Sequence, residues 1–198
     1  MPRKTGTRGG GSSAPRKKSW TAGARATSPV GAKKSLGQNF LRDQSIADAI
    51  ITAANLTSAD TVIEIGPGPG VLTERLIEQA GRIVAIELDD RFAAALLARY
   101  ADNPKVQVVH ADVLESDLAE LAGDGAWKAV ANIPYYITSP IIRHLLEAER
   151  PSALAVLMVQ KEVAERICAQ PGDLSLLAVS VQYYAAPELL FAVPASAF

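Results

Sequence analysis

The sequence predicts an α/β fold with a doubly wound, mostly parallel sheet. Five short runs rich in β-branched residues alternate with stretches of helical period between residues 60 and 160. These runs are almost wholly apolar, as in parallel strands that helices cover on both faces. Glycines and acidic residues follow the ends of several runs. Ligands bind at such strand ends in open parallel sheets, so the same pattern predicts where a functional site lies.

The elements follow from local patterns in chain order. Behind Asp43, a residue type that caps helix N-termini, apolar residues recur at helical spacing from Ile46 to Ala54 and predict a first helix. The predicted strands are Thr61–Ile65, Arg82–Glu87, Val106–His110, Lys128–Ala131 and Ala153–Val159. The predicted intervening helices are Val71–Ala80, Arg91–Tyr100, a less regular Leu114–Leu121 segment, and Ser139–Glu147.

Charge is distributed unevenly along the chain. The first 34 residues carry nine Lys or Arg and no acid, whereas the rest combines 11 basic with all 21 acidic side chains. The beginning is also rich in Gly, Ser and Pro and has no apolar period. We therefore expect residues 1–32 to be a disordered basic tail that contacts an anionic polymer such as RNA, and residues 33–198 to fold. An organellar transit peptide is the alternative for this basic segment, although its Gly and Pro content disfavours an amphipathic helix.

Composition excludes several classes of protein. Cys168 is the only cysteine, which excludes a disulfide framework and a cysteine-based metal site. The chain has no secretory signal and no apolar run of transmembrane length. His110 and His144 lie outside any motif and are interpreted as structural. We expect a cytoplasmic, monomeric protein that uses no metal and contacts no membrane.

A glycine-rich turn follows the first predicted strand, with Gly66 and Gly68 at alternate positions between Glu64 and Gly70. Glycines allow a ligand to approach the backbone closely, and the helix N-terminus that follows offers unpaired N–H groups. In a dinucleotide-binding loop, a third glycine would stand where Val71 stands. The turn therefore predicts a nucleotide-type ligand and disfavours a nicotinamide cofactor.

Two carboxylates mark the next strand ends. Glu87 ends the second strand, 21 residues after Gly66, where an acid can accept hydrogen bonds from both hydroxyls of a ribose. This spacing suits NAD and S-adenosylmethionine equally, so it indicates adenosine and leaves the cofactor open. Asp112 follows the third strand and could accept from the cofactor's adenine amine. Helix capping by Glu87 and turn formation by Asp112 are the alternatives.

The segment Asn132-Ile133-Pro134-Tyr135 follows the fourth strand. The lone pair of an adenine N6 is delocalised into the ring, and two acceptors aimed at its N–H groups would localise it. The Asn132 amide oxygen and a backbone carbonyl can supply those acceptors, Pro134 fixes the backbone, and Tyr135 can stack on the base. A simple turn at a strand end is the alternative.

Together these motifs resemble the class I methyltransferases, and more narrowly the ribosomal RNA adenine dimethyltransferase family. The resemblance covers residues 33–198. Further segments similar to the family's are Lys34–Leu41, Gln160–Arg166 and Val193–Phe198. The resemblance implies a Rossmann-like catalytic domain over residues 33–198, S-adenosylmethionine as cofactor, and ribosomal RNA of the precursor of the small ribosomal subunit as partner.

The resemblance also implies roles for individual residues. On the cofactor side, Asn39 and Leu41 close over the molecule, Gly66 and Gly68 line its methionine half, Glu87 holds the ribose, Asp112 holds the adenine amine and Asn132 bridges to the substrate. On the substrate side, the implied catalytic residues are Asn132, Ile133 through its carbonyl, Pro134, Tyr135 and Phe198. Phe198 would cover the second face of the target base, with core packing as the alternative.

The implied reaction is attack of adenine N6 on the sulfonium methyl, performed twice on each target adenosine, whose base must be flipped or unpaired. The nearest alternative is a resistance-type enzyme that acts on large-subunit rRNA. A non-catalytic ribosome-assembly or transcription factor on the same fold is the second alternative.

One departure from the family pattern concerns the end of the chain. The sequence stops at Phe198, where the family continues into a last sheet strand and a helical RNA-binding domain. We expect a domain truncated at its C-terminus, with an unmatched pairing site in its sheet, low stability, and weak, salt-sensitive RNA binding through the basic tail.

Overall fold

The computed structural model describes residues 40–198, whose centre is a five-stranded sheet with the order β3-β2-β1-β4-β5. Every neighbouring pair of strands is parallel. The predicted doubly wound α/β fold is therefore confirmed, and the strand order reverses between β1 and β4. The strands are β1 Thr61–Ile65, β2 Arg82–Glu87, β3 Val106–His110, β4 Trp127–Asn132 and β5 Leu154–Met158.

Helices cover both faces of the sheet. The side chains of α1 and α2 pack on one face in a cluster that includes Ile51 and Leu76, whereas α4 and α5 pack on the other in a cluster that includes Leu118 and Ile141. Alternate residues of each strand enter the two clusters, which explains the continuous apolar runs. The helices are α1 Gln44–Ala53, α2 Val71–Gln79, α3 Asp90–Arg99, α4 Leu118–Ala122, α5 Thr138–Leu146, α6 Lys161–Ile167 and α7 Leu176–Tyr184.

The predicted helix Leu114–Leu121 is wrong in detail, because the structure divides this segment. A 3₁₀ turn at Val113–Glu115 ends at Ser116, whose backbone is extended, and α4 then begins behind Asp117. The Asp117 carboxylate accepts a hydrogen bond from the Glu120 N–H at 2.9 Å. This second cap starts a new helix, so an aspartate within the segment breaks the predicted one. The helices α6 and α7 were not predicted from periodicity.

Several basic side chains of the folded part hold its helix ends. Lys128 donates to two carbonyls at the end of α1 and forms a 3.1 Å ion pair with Asp60. Lys105 donates to two carbonyls at the end of α2, and Arg82 to two at the end of α4. Helix C-termini carry unpaired carbonyls that attract cations. These three side chains are therefore engaged inside the fold.

The end of the chain is fixed against the first described residues, just before α1. The Ala197 carbonyl accepts hydrogen bonds from the N–H groups of Arg42 at 2.7 Å and Asp43 at 3.1 Å. Phe198 is half-buried and packs against the cluster formed by α1 and α2. The last 3₁₀ turn, Ala195–Ala197, therefore lies beside the segment that leads into α1.

The β5 edge of the sheet is exposed. Within residues 40–198, β5 pairs only with β4, and its first two residues are exposed. Large apolar side chains are also exposed along and after α7; they include Leu176, Tyr183 and Phe191. No helix in this part of the chain is long and apolar enough to cross a membrane.

Candidate active site at the carboxyl edge of the sheet

The structure brings four predicted residues to one edge of the sheet. Gly66 follows β1, Glu87 ends β2, Asp112 lies two residues after β3, and Asn132 ends β4. The carboxyl ends of parallel strands share one edge, and these four strands are neighbours in the sheet. The predicted positions therefore form a continuous row across the point where the strand order reverses.

The glycine turn requires its glycines. Gly68 and Gly70 have φ of 55° and 91°, in the left-handed region that disfavours other residues. A Cβ added to Gly68 would lie 3.1 Å from Cε1 of Phe40. The Phe40 ring in turn meets Phe92 edge to face, with their ring centres 5.1 Å apart. The turn therefore combines a left-handed backbone with an aromatic side chain packed directly on it.

Glu87 is fixed by the backbone on both sides. One carboxylate oxygen accepts the Gly68 N–H at 2.9 Å, and the other accepts the Asp89 N–H at 2.8 Å. The residue is 5% exposed, and burial raises the pKa of its carboxyl although these two hydrogen bonds lower it. Each carboxylate oxygen has more than one acceptor site, so both retain capacity for ligand hydroxyls. Glu87 thus links the glycine turn to the position predicted for a ribose.

Asp112 lies beside Glu87 at the same edge. The Ala111 N–H donates to the Glu87 carbonyl at 3.1 Å, which brings the two strand ends together. One Asp112 carboxylate oxygen accepts the Leu114 N–H at 2.9 Å and caps the 3₁₀ turn. Asp112 therefore has the turn-forming role named as its alternative. Its role toward an adenine stays a prediction.

The Asn132–Tyr135 segment presents an acceptor and an exposed ring. Ile133 is buried, and its N–H donates to the Met158 carbonyl at 3.0 Å, which continues the β4–β5 ladder. The hydrogen bonds found within residues 40–198 include none that uses the Ile133 carbonyl. Pro134 then opens a 3₁₀ turn in which Tyr135 is 40% exposed. The catalytic roles of Asn132, Ile133, Pro134 and Tyr135 stay predictions.

The remaining predicted residues lie toward the start and end of the chain. Leu41 is buried and lines a cleft beside the glycine turn. Phe198 packs on the same cluster as Leu41, so the packing alternative describes its observed contacts. Asn39 lies outside the described residues.

The cleft beside the glycine turn is lined by Glu64, a residue that the sequence analysis did not single out. The cleft is small, with a volume of about 20 Å³, and its lining includes Gly66, Asn132, Phe40 and Glu64. The sequence signal that could have identified Glu64 was a carboxylate inside the otherwise apolar strand β1. In the described part of the chain, no group of His, Cys, Asp and Glu is arranged to hold a metal ion.

His144 connects two elements of the fold, whereas the structural interpretation of His110 stays a prediction. The ring Nε2 of His144 lies 2.9 Å from the Ser116 carbonyl and connects α5 to the turn before α4. His110 is exposed at the end of the edge strand β3.

Comparison with known proteins identifies relatives over most of the chain. Ribosomal RNA small subunit methyltransferase A of Dehalococcoides mccartyi is 49% identical over 168 residues, covering 84% of this chain and 58% of the relative. The protein with the same name from Clostridium perfringens is 47% identical over 168 residues, covering 83% of this chain and 59% of that protein. The chain thus spans less than two thirds of the length of these relatives.

Two solved structures of rRNA or adenosine methyltransferases are also similar to this chain. The crystal structure of the 23S rRNA methyltransferase ErmE is 34% identical, with a TM-score of 0.62 over 71% of this chain and 56% of its own. A dimethyladenosine transferase from Plasmodium falciparum is 34% identical, with a TM-score of 0.63 over 73% of this chain and 52% of its own. The family model described as ribosomal RNA adenine dimethylase matches residues 30–198. The chain therefore belongs to the ribosomal RNA adenine dimethylase family.

Proposed function

We propose that this chain carries the catalytic part of an S-adenosylmethionine-dependent enzyme that dimethylates adenosine N6 in small-subunit ribosomal RNA during ribosome maturation. One observation carries the proposal: the glycine turn after β1 and the Asn132–Tyr135 segment after β4 meet where the strand order reverses. A Cβ placed on Gly66 would lie 3.9 Å from the Asn132 carbonyl. A cofactor held at the glycine turn would therefore lie next to a base held by Asn132 and Tyr135.

The residues present fit S-adenosylmethionine. Glu87 would hold the ribose and Asp112 the adenine amine, while Leu41 and the glycine turn would enclose the methionine half. The φ of 55° at Gly68 favours glycine there, and the Phe40 ring would have to shift slightly to admit a Cβ, so the backbone of this turn is open to close approach by a ligand. When bound, this cofactor supplies an electrophilic methyl group on a sulfonium centre.

The chain's own residues would prepare the target base. The Asn132 amide oxygen and the Ile133 carbonyl accept the two N–H groups of N6, which holds the amine in one orientation and localises its lone pair. Tyr135 stacks on the base and keeps it out of the RNA helix. Ile133 is 1% exposed and bonded to β5, so the acceptors are positioned by the sheet before a substrate arrives.

The small-subunit substrate is supported by the names of the relatives at 45–49% identity, each called ribosomal RNA small subunit methyltransferase A. Methylation of large-subunit rRNA is the second candidate, because the 23S enzyme ErmE matches the fold at 34% identity. A non-catalytic assembly factor would have no need of the acceptors at Glu87 and Asn132.

Contact with RNA cannot rest on a uniformly basic face. The residues after position 34 carry a net charge of about −10, and Lys105, Lys128 and Arg82 are engaged at helix ends. We therefore assign much of the phosphate contact to the basic tail, residues 1–32, which predicts steep salt dependence. The proposal implies a cytoplasmic monomer that acts on precursor small subunits.

Calorimetry with S-adenosylmethionine tests the cofactor site. Glu87→Ala removes the acceptors for two ribose hydroxyls, and we expect a loss of about 2–4 kcal/mol, roughly 30-fold to 1000-fold in Kd. Glu78→Ala is the matched control, because Glu78 is an exposed acid on α2. Equal affinity of Glu87→Ala and wild-type protein would remove Glu87 from the site.

A further inference from the structure

The exposed face of α5 begins at the candidate active site. The 3₁₀ turn Tyr135–Ile137 runs directly into this helix, whose buried side faces the sheet between Thr138 and Leu145. Residues three and four apart lie on one face of a helix. The exposed residues recur at this spacing on the opposite side and are Tyr136, Ser139, Pro140, Arg143 and Glu147. They form one continuous surface, the α5 strip, which starts beside Tyr135.

Tyr136 presents an aromatic ring that the described part of the fold does not use. The residue is 56% exposed, against 40% for Tyr135. Within residues 40–198 its hydroxyl makes no hydrogen bond and its ring meets no other ring. It also belongs to none of the apolar clusters that cover the sheet. Tyrosine offers a large, rigid face on which a base can stack, so Tyr136 is available to a ligand that lies next to Tyr135.

Arg143 supplies a cation on the same strip. Its Nε donates to both carboxylate oxygens of Glu147 at 2.9 Å, and its two terminal nitrogens make no hydrogen bond to the described residues. The side chain is 76% exposed, whereas Lys105, Lys128 and Arg82 are engaged at helix ends. Glu147 therefore orients the guanidinium by one edge and leaves its terminal N–H groups free to bind a phosphate.

The distribution of acids leaves the α5 strip open to RNA. No acidic residue occurs in the sequence from Asn132 to Leu146, and the acid that follows, Glu147, is paired with Arg143. By contrast, residues 112–124 carry five acids and no Lys or Arg. A phosphate backbone is repelled by unpaired carboxylates. The strip is therefore an acid-free path away from the candidate active site.

We propose that the α5 strip binds the RNA next to the target adenosine, with Tyr136 stacking on the base of the adjoining nucleotide and Arg143 contacting a phosphate further along the strand. The proposal rests on the proposed function, which places the target base against Tyr135. Consecutive side chains of a 3₁₀ turn point about 120° apart, so the two tyrosines serve different bases. Tyr136 and Arg143 lie about 10 Å apart along the helix axis, at about 1.5 Å per residue, so one short single strand reaches both.

Binding of short RNA tests the stacking. The probes are single-stranded uridine oligonucleotides with one central adenosine, either complete or lacking the base immediately 5′ or immediately 3′ of that adenosine. Fluorescence anisotropy of the full 198-residue chain with S-adenosylhomocysteine gives each Kd. We expect wild-type protein to bind the complete probe about fivefold to 150-fold more tightly than one of the two abasic probes, as for stacking of one base on an aromatic side chain.

Variants of Tyr136 assign this preference to its ring. Tyr136→Ala should bind the complete and abasic probes within about twofold of each other, whereas Tyr136→Phe keeps the ring and should keep the preference. The basic tail contributes equally to every probe and cancels in the ratio. Tyr183→Ala is the matched control, because Tyr183 is 81% exposed at the end of α7 and outside the strip; it should behave as wild type.

Three results would overturn the role of Tyr136. They are equal binding of all probes by wild-type protein, an unchanged preference in Tyr136→Ala, and loss of the preference in Tyr136→Phe or in the Tyr183→Ala control.

Salt dependence tests the phosphate contact. Arg143→Ala should weaken binding of all probes by the same factor and reduce the slope of log K against log salt by about 0.7, the value for one phosphate of a single strand. Arg75→Ala, on α2 at the other face of the sheet and likewise paired with an acid, should leave the slope unchanged. An unchanged slope in Arg143→Ala would overturn the phosphate contact.

Methyl transfer from labelled S-adenosylmethionine to small ribosomal subunits that lack the modification separates this inference from the proposed function. Transfer by wild-type protein that shows no base preference with the probes would overturn the α5 strip and leave the proposed function intact. Absence of transfer to these subunits would refute the proposed function, whatever the probes show.

Discussion

The buried carboxyl of Glu64 should make the stability of the fold depend on pH. Its pKa in the folded protein is about 8, against an ordinary value of 4.5. The folded state therefore keeps a proton that the unfolded chain has released above pH 4.5. The stabilisation is fully present below the unfolded pKa and is lost as pH rises toward 8. Each pH unit is worth about 1.4 kcal/mol, so from pH 5 to 7.5 the loss is about 3 kcal/mol.

Urea unfolding of wild-type protein and Glu64→Gln between pH 5 and 8, without cofactor, measures this loss. The glutamine cannot ionise, so its free energy of unfolding relative to wild type should rise by about 3 kcal/mol between pH 5 and 7.5. Comparison of the two proteins removes the contribution of Glu87, whose pKa burial also raises. Glu78→Gln, a change on the exposed face of α2, controls for the loss of one acid. A difference between Glu64→Gln and wild type that stays constant with pH would refute the argument.

Three further substitutions test other parts of the structure. Gly68→Ala places a Cβ on a residue with φ of 55°, at 3.1 Å from the Phe40 ring. Thermal unfolding should show a loss of about 1–3 kcal/mol in the free energy of unfolding. An unchanged midpoint would contradict the claim that the substitution strains the backbone. Lys128→Met leaves the end of α1 and Asp60 without their cation and should lower the free energy of unfolding in urea by about 2–4 kcal/mol. The control Lys161→Met, at the exposed ion pair with Glu165, should cost less than about 0.5 kcal/mol. Equal effects of the two substitutions would be evidence against the capping role of Lys128. Asn132→Ala should lower kcat for methyl transfer at least about tenfold, while the Kd of the cofactor should change less than about threefold. A kcat within about threefold of the wild-type value would show that the acceptor role of Asn132 is wrong.

The strands were predictable because both faces of the sheet are covered. Strands buried on both sides are continuous apolar runs, so β1 and β2 have the predicted bounds. The edge strand β3 also has the predicted bounds, although its side chains are only partly buried. β4 extends one residue further at each end, to Trp127 and Asn132. Trp127 donates its indole N–H to the Arg150 carbonyl at 3.0 Å, and this contact with a distant residue is invisible in a local pattern.

The C-terminal helices were not predictable from periodicity. Helix α7 is apolar on nearly all sides, so its sequence marks no buried face. The structure buries Val181 and Ala178 in it but leaves Leu176 85% exposed. The elements that pack against α7 determine which of its apolar residues are buried, and the sequence of the helix does not contain that information.

The positions of the candidate site residues in the fold were predictable from the sequence, but their side-chain contacts were not. Turn chemistry and strand ends place Gly66, Glu87 and Asn132 correctly at one edge, because parallel topology brings the strand ends together. The contacts of Glu64 with Thr73, and of Phe40 with Gly68, depend on how α2 and the first described residues pack against the sheet. No local pattern contains those distances.

Mass spectrometry of ribosomal RNA nucleosides, from cells with and without the gene for this chain, tests the proposed function most directly. Deletion should remove N6,N6-dimethyladenosine from small-subunit RNA and leave large-subunit RNA unchanged. The wild-type gene should restore it, and the gene carrying Asn132→Ala should not. Unchanged dimethyladenosine in small-subunit RNA after deletion, or a loss confined to large-subunit RNA, would contradict the proposed function.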